Sequence, residues 1–86
     1  MIDLYLKAAD ALELYAYLDS AGVTVRGEDG PVVADGHKFA LDVIGTIPDR
    51  DGYHANLRVI NASDFDAKLL ASITIDPPAN PVRGWA

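Results

Sequence analysis

The chain has no cysteine. That excludes a disulfide scaffold, a thiolate zinc site and a thiol nucleophile, and it fits a reducing compartment. It has no apolar run approaching the ~20 residues that span a bilayer. Near its start, Asp3 stands where a leader peptide would carry bases, so neither secretion nor membrane insertion is expected. Basic residues are few: 7 Lys and Arg against 13 Asp and Glu, a formal charge of −6. Those bases (Lys7, Arg26, Lys38, Arg50, Arg58, Lys68 and Arg83) are scattered, whereas a phosphate backbone is gripped by clustered ones. Nucleic acid and anionic membranes are therefore not expected partners.

What is present reads as one small α+β domain. Half of the 86 residues are hydrophobic and 23% are charged, which places the chain among globular proteins. Residues 1–7 alternate, with Ile2, Leu4 and Leu6 on one face, the period of a half-buried strand. Asp10 then opens a helix over 11–20, with Glu13 as the acidic half of a capping box. Ala11, Leu14, Tyr15 and Leu18 form its inner stripe, and Leu12 and Tyr17 fall off it. Gly22 suits the left-handed residue that ends a helix. Residues 23–36 carry two Gly-containing turn signals and are expected to form a small hairpin or structured loop.

Alternation returns over 37–47, with Phe39, Leu41, Val43 and Ile47 inward, and over 53–60, with Tyr53, Ala55, Leu57 and Val59 inward. The polar stretch 48–52 between them reads as a turn, making an antiparallel hairpin. Ser63 or Asn61 is expected to cap a second helix reaching Ala71, with Phe65 and Leu69 on the sheet. A short strand at 72–75 completes the order β-α-β-β-α-β. That is the split βαβ, or ferredoxin-like, plan: an antiparallel sheet with two helices on one face, plus the extra short hairpin. The body spans 1–76. Residues 77–86, with Pro77, Pro78 and Pro81, read as an extended tail.

Catalytic, metal and cofactor sites are not expected. His37 and His54 fall at opposite ends of the central hairpin and read as independent, exposed side chains. Asp49 and Asp51 flank a turn, and Asp64 and Asp66 belong to a helix start, where carboxylates oppose the helix dipole. Ser20, Ser63 and Ser72 lack the tight turn and partner base of a nucleophile. Tyr5, Ala40, Ile44 and Ile60 fall on outward positions and leave the second sheet face partly apolar. Segment 23–36 is the expected cover, and a partner or a second copy of the chain is the other candidate. In the tail, Pro81, Arg83 and Trp85 stand out as partner-binding residues, because the single Trp is the type that anchors interfaces. The other reading is that Trp85 folds back on its own domain.

The blocks 1–8 (MIDLYLKA), 40–45 (ALDVIG), 53–58 (YHANLR) and 78–86 (PANPVRGWA) together resemble a group of small phage and prophage proteins encoded among the tail genes of tailed phages. The group often has a bulkier apolar residue where this chain has Gly84. The resemblance implies a non-enzymatic protein that acts by protein–protein contacts, as a minor tail component or tail-assembly factor, in the host cytoplasm or the virion. It transfers no catalytic residue. The rival expectation is a small acidic regulator or inhibitor of a host protein, acting by charge mimicry.

Overall fold

The computed structural model describes residues 2–61 and 63–77. Strand β1 (Ile2–Ala8) alternates as its sequence implies: Leu6 and Ala8 are buried, Leu4 is half-buried, and Asp3 and Lys7 are exposed. Helix α1 (Ala11–Ser20) starts at Asp10, whose backbone is extended and whose carboxylate accepts from the Glu13 N–H at 2.8 Å. Glu13 reaches back to accept from the Ala9 N–H at 3.1 Å. Two N–H groups at the helix start are thereby satisfied. At the other end Gly22 takes φ +79°, and the Val23 N–H bonds back to the Leu18 carbonyl at 2.9 Å. Leu14 and Leu18 are fully buried, while Leu12 is 82% exposed.

Residues 23–36 do form a hairpin: β2 (Thr24–Gly27) pairs antiparallel with β3 (Gly30–Val33) across a two-residue turn. Thr24 is buried, and its cross-strand partner Val33 is half-buried against the core. Val25 and Val32, also partners, are half-exposed on the opposite side. The hairpin packs against α1 and the next strand.

Strands β4 (Phe39–Ile47) and β5 (Arg50–Val59) make the expected long hairpin, but its turn is shorter than 48–52. Only Pro48 and Asp49 lie outside the strands, and Asp49 adopts φ +66°, which Asp tolerates better than most residues. Asp51 and Gly52 carry turn chemistry yet belong to β5. Gly52 is required there by close approach: a Cβ would lie 2.8 Å from Lys7 Cγ and 2.9 Å from the Ala8 carbonyl oxygen. Register shifts at Val43/Gly45 and Thr46/Ile47 absorb the difference in length between the strands.

The second helix departs from expectation. It is a 3-10 helix, Ala67–Ile73, capped by Asp66 rather than by Ser63 or Asn61. The Asp66 carboxylate accepts from the Lys68 N–H at 3.0 Å. With three residues per turn, Leu70 and Ile73 share the inward face, and Leu69 is left half-exposed. Phe65 does pack inward, edge-on to Phe39 with ring centroids 5.7 Å apart. Because Ser72 is still helical, the last strand, β6, is only Thr74–Ile75.

The main sheet has the order β4-β5-β1-β6, and every neighbouring pair is antiparallel. Both helices touch β1 and each other, so they cover the same face. Register places Leu4, Leu6, Leu57, Ala55, Leu41 and Val43 on that inner face. The core sits between it and α1, with Leu14, Leu18, Val23, Leu70 and Ile73 closing it from above.

Candidate interaction surfaces

Three polar rows cross the outer face of the sheet. Ala40, Arg58 and Asp3 form the first; Asp42, Asn56, Tyr5 and Ile75 the second; Gly45, His54 and Lys7 the third. Arg58 grips Asp3 with two parallel bonds, Nε to Oδ1 at 2.7 Å and Nη2 to Oδ2 at 3.0 Å. That fork–fork pairing holds the Asp3 carboxyl below its ordinary value. The same bond raises the guanidinium of Arg58.

Two residues of this face are buried. Asn56 is 3% exposed and His54 is 7% exposed. The His54 reading is thus corrected: it is enclosed, and only His37 is exposed. His54 Nε2 lies 2.8 Å from the Asp51 carbonyl oxygen. A carbonyl only accepts, so Nε2 carries the proton and the ring is anchored to its own strand. The expectation for His54 failed because alternation reports which way a side chain points, not what lies over it.

Segment 23–36 does not cover this face. Its Thr24 side is committed to the core, and it is tied back by the bond from the Ala34 N–H to the Val23 carbonyl. Tyr5 and Ala40 do lie on the outer face, as expected. Ile60 lies beyond the end of β5 and is 40% exposed.

A second surface runs between α1 and the β2–β3 hairpin. It is an open groove of about 440 Å³ lined by Ala11, Leu12, Tyr15, Ala16, Asp19, Arg26 and Pro31. The side chain of Thr24 donates to the Asp19 carboxylate and staples the hairpin to the helix end. Tyr15 stands at the inner wall, where desolvation, and then the nearby Tyr53, push its phenol up from the ordinary value. Leu12 projects from the rim with nothing described against most of its surface.

The carboxylates that drew notice in the sequence are dispersed. Asp49 and Asp51 are exposed at the β4–β5 turn, Asp66 caps the 3-10 helix, and Asp64 sits 3.9 Å from Lys38 Nζ. Among the described residues no three His, Cys, Asp or Glu side chains converge on a point that could hold a metal ion. No helix among them is long and apolar enough to cross a membrane. Pro81, Arg83 and Trp85 lie outside the described residues. The groove went unnoticed in the sequence, although Leu12 off the helix stripe was its one signal. The chain therefore stands on its own geometry, for no protein-family profile, no curated protein and no solved structure matches it.

Proposed function

We propose that this chain is a non-enzymatic phage or prophage protein that works by protein–protein contact, as a minor tail component or tail-assembly factor. The observation that carries the contact reading is the α1–hairpin groove with Leu12 on its rim. A leucine 82% exposed beside an apolar concavity is surface that a partner can bury. Fully burying such a side chain contributes about 1.5–3 kcal/mol, enough to make it an anchor. The net charge of −6 favours a partner with a basic rim around its apolar contact. The tail assignment rests on the resemblance of four sequence blocks to small tail-gene proteins. It places the chain in the host cytoplasm during assembly, or in the particle.

The sheet order β4-β5-β1-β6, with crossovers through α1 and the 3-10 helix, supports a split βαβ plan in which the second helix has tightened to a single short 3-10 segment. In that plan the β2–β3 hairpin is an insertion between the first helix and the second strand of the plan. The insertion builds one wall of the groove.

Mass spectrometry of purified particles, combined with a Leu12→Asp variant, tests the proposal. Expected is the chain in the particle at fixed copy number, or particle yield that depends on it, and loss of either in the folded variant. Particles that lack the chain and form normally without its gene would refute it.

A further inference from the structure

We propose that the groove between α1 and the β2–β3 hairpin receives an amphipathic helix of a partner protein, with basic residues about two turns apart and apolar residues between them. This rests on the contact reading of the groove and names the partner's chemistry. The hairpin runs antiparallel to α1. At one end Thr24 bonds to Asp19, in the last turn of the helix. At the other, Pro31 and its cross-strand partner Arg26 line the same groove as Ala11 and Leu12, in the first turn. The turn residues Glu28 and Asp29 follow that pair toward the hairpin tip, so they lie at the N-terminal end of α1, and both are exposed. From Ala11 to Asp19 the groove follows α1 for about 12 Å, a little over two turns.

The walls decide what kind of segment fits. Thr24 and Val33 face the core while Val25 and Val32 face away, so the hairpin turns one face of side chains toward α1, not a strand edge. Pro31 has no N–H at all. The backbone of α1 is bonded within the helix. An extended peptide laid here would meet side chains only and leave its own N–H and C=O groups without partners on either wall, whereas a helix satisfies them internally. Leu12 on the rim supplies the apolar anchor, and the small, exposed Ala16 lets a second helix come close. Charge then selects among helices. Asp19 sits in the last turn of α1, which has no basic residue, and there the helix dipole adds to its negative field. Glu28 and Asp29 make the other end acidic. Of the described lining residues only Arg26 is basic. A helix with Lys or Arg at each end of its apolar stripe complements both ends, while a second copy docked by the same groove would bring acid to acid.

The probe is a synthetic, end-blocked peptide of ~15 residues, long enough to form a helix, with a Leu stripe flanked by Lys two turns apart. Its controls carry Glu in place of Lys, or a central Pro that breaks the helix. Fluorescence anisotropy of the labelled peptides follows binding to the full chain, and amide chemical shifts map the contact. Expected is binding of the Lys peptide that weakens as salt rises, with both controls weaker by about tenfold or more and shifts confined to α1 and the hairpin. Leu12→Ala should cost about tenfold. Glu28→Lys combined with Asp29→Lys should weaken the Lys peptide and strengthen the Glu one. These three residues are exposed, so the variants keep the fold, which circular dichroism checks. Failure of the Lys peptide to bind, or equal binding of the Glu or Pro control, overturns the inference; the contact reading of the groove survives where Leu12→Ala still weakens the peptides that bind. Binding indifferent to Leu12→Ala, with shifts away from α1, overturns both. Self-association of the chain that Leu12→Asp abolishes, seen by sedimentation, makes a second copy the occupant and also overturns the inference.

Discussion

Helix α1 offers the sharpest test of the packing, because Leu12 and Leu14 are chemically identical, two residues apart and oppositely placed. Leu14 is 0% exposed and Leu12 is 82% exposed. Leu14→Ala removes buried methyl groups and leaves a cavity under the helix, which costs about 2–5 kcal/mol. A domain of this size is stable by roughly 4–13 kcal/mol in total, so that loss is a large fraction of it. Each kcal/mol is worth about 4–8 °C, and the midpoint should fall by roughly 10 °C or more. Leu12→Ala leaves no cavity and places a better helix former on the surface, so its effect should stay within about 0.5 kcal/mol. Urea titrations followed by circular dichroism measure both variants under one set of conditions. Equal destabilisation of the two would mean that α1 is rotated about its axis from the arrangement described. The groove would then be part of the core, and the contact surface built on Leu12 would be lost with it.

Two further perturbations probe the sheet. Gly52→Ala forces a methyl into Lys7 and the Ala8 carbonyl oxygen at a residue with φ +95°; it should destabilise by at least ~1–3 kcal/mol, read by thermal unfolding, and a neutral result would contradict the close approach of β1 and β5. The Asp3–Arg58 pair predicts a pH effect: Arg58 lowers the folded carboxyl below 3.8, so its stabilisation is present above that ordinary value and is lost as pH falls through the folded one. The pair is partly exposed, so Asp3→Asn should cost about 0.2–1 kcal/mol near neutrality and nothing at the acid end; a difference that persists in acid would remove Arg58 as its source.

The parts of the fold that could be read from sequence are those governed by one dominant local rule. Alternation placed β1, β4 and β5, and the Asp10–Glu13 cap placed the start of α1 within a residue. Where two rules competed, the reading failed. Asp51 and Gly52 look like a turn, but glycine is needed there for a different reason: the neighbouring strand leaves no space for a side chain. Asn61 and Ser63 both suit a helix cap, and spacing alone did not say that Asp66, expected inside the first turn, would cap instead and leave only a 3-10 helix. The surfaces were less legible still. Leu12 was correctly placed off the inner stripe, but the groove depends on the hairpin folding back against α1, a contact between segments that no periodicity encodes. The burial of Asn56 and His54 is likewise set by the surroundings of β5, which its alternation does not contain.

Strand β1 has neighbours on both sides, β5 and β6, although it is the first strand in the chain. Its partner residues in β5, Tyr53 to Val59, follow it by about fifty positions. At a synthesis rate of ~5–20 residues per second, β1 spends several seconds outside the ribosome with its backbone groups unpaired. The β4–β5 hairpin, closed by Pro48 and Asp49 alone, needs no such wait and can zip within microseconds once made. That order would make folding of this domain an insertion: a preformed hairpin receives a strand made earlier, and β6, made later than both, closes its other side. The exposed interval falls before that insertion, which is when a chaperone has most to gain by holding on.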